Sequence, residues 1–185
     1  AYLSTVPDER LWVCRVKGDT WHTYSDSDHA GDTCLGTNRS HTGVIVLLNG
    51  MPIYWRSNKQ PVTSVSSATA EIYALSEACR DVRLIAWVAE EMGRYVPWPM
   101  VVYVDNAAGV SFQHSTCASS KLRGVFDYRW DWVKELKDQT QITAVKVATE
   151  KNLADLYTKC HSAATRKVLQ QELARIALEV AAAAA

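Results

Sequence analysis

Met100-Val101-Val102-Tyr103-Val104 is a charge-free apolar run of strand length, bounded by Pro97 and Pro99 before it and Asp105-Asn106 after it. Such a strand has no face suited to water, so it belongs at the centre of a sheet covered on both sides. That requirement points to helices packed against two faces, and with them a mixed α/β architecture. Upstream, Leu75, Ala78, Val82, Ile85 and Ala89 recur at steps of three and four, which predicts a helix from about Ala68 to Met92. Ser66 and Ser67 offer its N-terminal caps and Gly93 closes it.

Other elements follow from local patterning. Trp21 to Asp26 reads as a short strand, followed by a Gly-, Thr-, Asn- and Ser-rich loop from Gly31 to Ser40. His41 to Leu48 is β-branched and apolar, Asn49-Gly50 is a hairpin turn, and Met51 to Arg56 is the returning strand. Beyond the central strand, a short helix follows Asp105-Asn106. A longer one spans about Lys121 to Lys137, with Val125, Tyr128, Trp132 and Leu136 on one side. Gln141 to Thr149 is the last strand, and Asn152 caps a terminal helix. The order β-β-β-α-β-α-α-β-α describes an antiparallel meander joined to a βαβ-type crossover.

Composition narrows the function classes. The 185 residues, 48% hydrophobic and 22% charged, fit one globular domain with a core of its own. Residues 1–19 read as an arm, 20–178 as the domain, and 179–185 as an artefactual alanine-rich tail. Twenty basic residues balance twenty acidic ones, so nucleic acid would meet a local patch rather than a polybasic coat. No stretch approaches the roughly 18 apolar residues of a membrane span. The first residues lack both an initiator Met and a signal-peptide pattern, which suggests a piece of a longer polypeptide. Cys14, Cys34, Cys79, Cys117 and Cys160 are odd in number and never spaced C-x-x-C. They are expected to be free thiols in a reducing intracellular compartment, cytoplasm or nucleus.

Four acids stand where an acid is unexpected or useful. Four residues back from Leu75, the helix stripe lands on Glu71, placing a carboxylate on a core-facing side. Such a charge needs a partner or a metal, although stabilisation of the helix dipole competes as an explanation. Asp105 ends the central strand, where ligands collect in α/β sheets, and Asp26 follows the first strand; turn chemistry competes for both. Asp155 lies three residues after Asn152, which also suits a capping box. Together, acids at strand ends and helix starts suit hard divalent cations and two-ion phosphodiester chemistry. Asp26-x-Asp28-x-x-Gly31 fails as a calcium loop, with Ala30 at the fifth position and Thr37 at the twelfth. Neither a phosphate-binding Gly-Lys-Ser/Thr loop nor a zinc spacing among the five histidines is present. Trp130 and Trp132 read as packing residues first and stacking surfaces second. Thr33 to Ala70 and Ala107 to Phe126 contain no acid. Arg39, Arg56, Lys59, Lys121 and Arg123 within them are candidate phosphate contacts.

Several blocks resemble a known family. They are Tyr24-Ser25-Asp26-Ser27-Asp28-His29-Ala30-Gly31-Asp32, Arg39-Ser40-x-Thr42-Gly43, Trp55 to Gln60, Ser66 to Leu75, Val104-Asp105-Asn106, Phe126 to Arg129 and Asn152 to Lys159. In order, over residues 21 to 161, they are similar to the RNase H domain of Ty/copia-type retrotransposon polyproteins. The resemblance implies an RNase H-like fold, a five-stranded mixed β-sheet flanked by α-helices on both faces. It implies that Asp26, Glu71, Asp105 and Asp155 hold two Mg²⁺ ions, with Mn²⁺ able to substitute. Asp28 is a candidate outer-shell acid. The implied reaction is endonucleolytic hydrolysis of the RNA strand of an RNA–DNA hybrid, in a chain tethered to a reverse transcriptase. Cellular RNases H usually carry a His just before the last catalytic Asp to assist product release. Val147 to Leu153 has none, which implies slow turnover or dependence on the polymerase.

Two other function classes compete. The domain could be recruited as a structural subunit of a larger assembly. An integrase-type DNA strand transferase shares the fold, but its acids run Asp, Asp, Glu along the chain, whereas here Glu comes second.

Overall fold

The computed structural model describes residues 18–31, 38–114, 128–159 and 161–183. Three strands, β1 (Trp21–Asp28), β2 (His41–Leu48) and β3 (Met51–Lys59), form the antiparallel meander. β3 runs three residues beyond its expected end because the pairing with β2 continues as far as Lys59 opposite His41. Asn49 and Gly50 both take positive φ, 54° and 75°, as a two-residue hairpin of this twist demands. Gly50 serves a second purpose, since a Cβ there would come within 2.5 Å of the Ala177 backbone.

Helix α1 (Ser67–Glu91) crosses the sheet and leads into β4 (Met100–Val104), which pairs in parallel with β1. Ser66 caps α1 by accepting from the Thr69 amide at 3.2 Å. Helices α2 (Ala107–His114) and α3 (Tyr128–Asp138) precede β5 (Ile142–Lys146), parallel to β4. The sheet order is β3-β2-β1-β4-β5. The predicted order of elements along the chain, the meander and the crossover are all present.

Alternation along the strands separates two cores. Val44, Val46, Met100, Val102, Val104, Ile142 and Ala144 face α1, α2 and α3, meeting Leu75, Ala78, Val82, Val133 and Leu136. Tyr24, Ile45 and Leu47 face the other way, onto Leu153, Ala154, Ile176 and Val180. α3 buries Trp130, Val133 and Leu136, while Trp132 is only partly buried beneath the Arg83 guanidinium. Trp130 packs edge-on against Phe112 with ring centroids 4.7 Å apart, so it offers no stacking surface to bases. Gln113 joins α2 to the edge strand, donating to Ile142 O at 3.1 Å and accepting from Ala144 N at 2.7 Å.

The C-terminal part differs from the sequence expectation. Asn152 does not start the terminal helix; it caps a short 3₁₀ turn, Leu153–Tyr157. Its side chain is fully buried and committed twice, accepting from Ala154 N and donating to Ser25 O of β1 at 3.0 Å. That second bond ties the turn to the sheet. The helix proper, α4 (Ala163–Ala183), begins after Ser162, whose hydroxyl accepts from Thr165 N, and runs unbroken across residue 178. Replacing Asn152 with Ala leaves the Ser25 carbonyl without this donor in a dry site. It is expected to cost about 2 kcal/mol, readable as a lower midpoint in urea unfolding with unchanged slope.

Candidate active site

β1, β4 and the first turns of α1 meet at one end of the sheet, and three acids meet with them. Asp26 lies near the end of β1, Asp105 directly follows β4, and Glu71 sits on the inward side of α1. One carboxylate oxygen from each lies within 4.8 Å of the others. Glu71 owes its place to the stripe: Leu75, Ala78 and Val82 bury the helix face that also carries it. Gln60, itself buried, fixes the start of that helix by donating to Thr42 Oγ1 and Ala70 O while accepting from Ser64 Oγ.

Burial and the neighbouring carboxylates dominate the electrostatics of the three acids. Glu71 is only 8% exposed, and its Oε2 has no hydrogen-bond partner. Burial, with the charges of Asp26 and Asp105 added, pushes its pKa up to about 8. Burial likewise pushes Asp26 up to about 6, although Thr158 and Lys159 pull against it. An orphaned buried carboxylate oxygen facing two further acids, with oxygen donors only, fits a hard divalent cation such as Mg²⁺.

Asp155 stands beside this triad rather than within it. Gly43, opposite Asp26 in the β1–β2 ladder, lets the turn that carries it come close. A Cβ at residue 43 would sit 2.5 Å from Ala154 O and 2.7 Å from Thr158 Cγ2. The Thr158 hydroxyl donates to Asp26 Oδ2. Lys159 Nζ lies 2.6 Å from Asp155 Oδ1 and 3.7 Å from Asp26 Oδ2. Burial opposes the Lys159 charge, but the Asp155 hydrogen bond and both aspartates outweigh it and hold the pKa above the usual lysine value. His161 Nε2 is 3.3 Å from Asp155 Oδ2 and 2.8 Å from its backbone oxygen. The loop before Asp155 has no histidine, but one contacts this acid from its other side.

The expected phosphate contacts divide. Arg39 is exposed, and Lys59 ends β3 opposite His41, which itself pairs with Asp28 beyond Asp26. Both stand at the acidic end of the sheet. Arg56 is spent elsewhere: its guanidinium pairs with Glu77 at 3.0 Å and Asp81 at 2.7 Å on α1. Lys121 and Arg123 lie outside the described residues. Gly43, Thr158, Lys159 and His161 received no role from sequence reasoning. Gly43, Thr158 and Lys159 fall within the motif blocks, and Lys159 also stands at i+4 from an acid.

Comparison with solved structures decides the fold. An RNase H1 named LC11, crystallised with an RNA/DNA hybrid, superposes with a TM-score of 0.55 at 16% identity, over 75% of this chain and 94% of that one. The fold is that of RNase H. The N-terminal RNase H domain of a Mycobacterium tuberculosis protein agrees, with a TM-score of 0.53 at 11% identity over 85% and 99% of the two chains. No protein-family model matches the chain.

Relatives that match most of its length include Pol polyproteins of the Ty/copia type. The retrovirus-related Pol polyprotein from transposon RE2 of Arabidopsis thaliana is 30% identical over 164 residues, which cover 85% of this chain and 11% of the relative. That from transposon TNT 1-94 of Nicotiana tabacum is 27% identical over 136 residues, 74% and 10%. The chain thus spans about a tenth of the length of these relatives, in keeping with the resemblance read from its motifs. Among the described residues, no helix is long and apolar enough to cross a membrane.

Proposed function

We propose that this chain is a divalent-cation-dependent endonuclease cutting the RNA strand of RNA–DNA hybrids, as one part of a retrotransposon Pol polypeptide. The observation that carries the reading is the Asp26, Glu71 and Asp105 triad with its orphaned Glu71 oxygen, placed at the strand ends of an RNase H fold. When bound, Mg²⁺ ions supply positive charge to the scissile phosphate and make water a better nucleophile. Mn²⁺ is expected to substitute.

The protein's own residues account for the rest. Asp26, Glu71 and Asp105 would hold one ion, and Asp155, beside them, would supply an oxygen toward another. Thr158 orients the Asp26 carboxylate, and the Asn152 bond to β1 fixes the turn that carries Asp155. Arg39 and Lys59 flank the site on the side of the β1–β2–β3 edge, where they can meet backbone phosphates. Substrate choice would rest on hybrid geometry and the RNA 2′-hydroxyl rather than on base sequence. The working context is intracellular, beside a reverse transcriptase.

A structural role in an assembly has one observation in its favour. Leu84, Trp87, Val88, Met92, Tyr95 and Trp98 are all exposed, on the far half of α1 and the segment after it. Apolar surface of that kind often marks a partner contact. The two readings separate on a panel of labelled hybrid, RNA duplex and DNA duplex in Mg²⁺. The nuclease reading predicts cutting of the RNA strand of the hybrid and at least about tenfold slower cutting of the duplexes. Folded protein that cuts none of the three, alone or fused to its reverse transcriptase, favours the structural role.

A further inference from the structure

We infer that Lys159 is a built-in competitor for the second cation of the site. The acids then fill one ion at a time: the first at Asp26, Glu71 and Asp105, the second only when the Lys159 ammonium leaves the space between Asp26 and Asp155. The inference rests on the metal-dependent reading above and adds the order of filling to it.

The geometry separates the acids into two groups. Asp26, Glu71 and Asp105 bring oxygens within 4.8 Å of one another, and Oε2 of the nine-tenths-buried Glu71 has no hydrogen-bond partner. That half is a place for a cation. The other half already contains one. Lys159 Nζ reaches Asp155 Oδ1 at 2.6 Å and Asp26 Oδ2 at 3.7 Å, so a single ammonium spans the two carboxylates that a second ion must share. His161 stands at the remaining oxygen of Asp155. A divalent ion bridging Asp26 and Asp155 would lie within a few ångströms of the ammonium, where like-charge repulsion is strong at protein dielectric values.

What can yield is the lysine. Its side chain is 38% exposed, against 1% for Asp26 and 9% for Asp155, and it ends a flexible four-carbon stem that can turn to water. The carboxylates are held in place. Thr158 donates to Asp26, and the Asp155 turn is pinned to β1 through Asn152 and to β3 by Ser57 Oγ donating to Tyr157 O at 2.6 Å. Exchange of ammonium for metal therefore requires one side chain to move and leaves the oxygens where they are.

The test counts ions without nucleic acid, so it does not depend on catalysis. Metal-free protein is titrated with Mn²⁺ while free ion is read by electron paramagnetic resonance and heat by calorimetry. Wild type is expected to bind one ion and then a second at least about tenfold more weakly. Lys159→Met is expected to tighten the second by about tenfold or more and leave the first within about twofold. Lys159→Gln, which keeps a polar head, serves as the second variant, with thermal unfolding as the check on folding. Asp155→Asn should remove the second ion and spare the first. Two equal sites in wild type, or a second site that Lys159→Met and Lys159→Gln leave unchanged or weaken, would overturn the inference while the nuclease reading stands. Absence of any Mn²⁺ binding at the triad would remove both.

Discussion

Replacing Glu71 with Gln is expected to raise the stability of the metal-free protein at pH 8 and to abolish hybrid cleavage. The two effects have one cause. Glu71 is buried beside Asp26 and Asp105, and its pKa is pushed up to about 8 from an ordinary 4.5. A raised carboxyl means that the folded state binds the proton more tightly than the unfolded state does. Its contribution is therefore fully present below about pH 4.5 and is lost as pH rises through about 8. Asp26, pushed up to about 6, adds to the same slope at lower pH. Across that window wild type should lose on the order of 3 kcal/mol that Glu71→Gln retains, or about 6–12 °C in melting temperature for a chain of this size.

Thermal unfolding in EDTA from pH 4.5 to 8.5 checks the prediction. The wild-type and Glu71→Gln curves should converge at the acid end and separate steadily above it. Parallel curves would show that Glu71 is not held in its neutral form by its surroundings. Adding Mg²⁺ at pH 8 should close much of the gap, because an ion that binds only the folded state stabilises it by mass action.

Gly43→Ala is expected to damage stability and activity together. The added Cβ would lie 2.5 Å from Ala154 O, 2.7 Å from Thr158 Cγ2 and 3.2 Å from Tyr157 Cβ. A backbone carbonyl cannot rotate away like the end of a long side chain, so the whole turn must move. That turn carries the fully buried Leu153 and Ala154, and with them Asp155, Thr158 and Lys159. The expected loss is at least about 2 kcal/mol. Cleavage by the folded fraction should fall further, since Asp155 is displaced from Asp26. Gly109→Ala is the control. Its Cβ would meet Leu75 Cδ2 at an ordinary 3.7 Å inside α2, so a gain of about 0.5–1 kcal/mol is expected there. Equal effects at residues 43 and 109 would show that the close approach of the turn has no special energetic role.

These two residues mark the boundary of what the chain discloses before it folds. Glu71 is legible because helix periodicity is local: four residues back from Leu75 puts the acid on the buried face, where the structure has it. Asn49-Gly50 and the Met100–Val104 run are legible for the same reason, since turn chemistry and two-sided burial leave marks within a few residues. The role of Gly43 depends on a turn more than a hundred residues away, so its place in a motif block marks the residue without disclosing what it does. Asn152 was legible as a cap but not as a cap on a 3₁₀ turn, because its decisive partner is Ser25 on β1. Arg56 illustrates the converse. The acid-free stretch around it suggested a phosphate contact, yet Glu77 and Asp81, just beyond that stretch, face it from α1 and take its charge.

The central claim is that the Asp26, Glu71 and Asp105 cluster performs metal-dependent hydrolysis of hybrid RNA. It is tested most directly by a hybrid labelled on the RNA strand, incubated with wild type and Asp105→Asn, in Mg²⁺ and in EDTA. The account predicts cutting of the RNA strand by wild type in Mg²⁺, none in EDTA, and a fall on the order of 10³-fold in the folded variant, corresponding to about 4 kcal/mol of lost transition-state stabilisation. Cutting that survives EDTA or is undiminished in Asp105→Asn would contradict it.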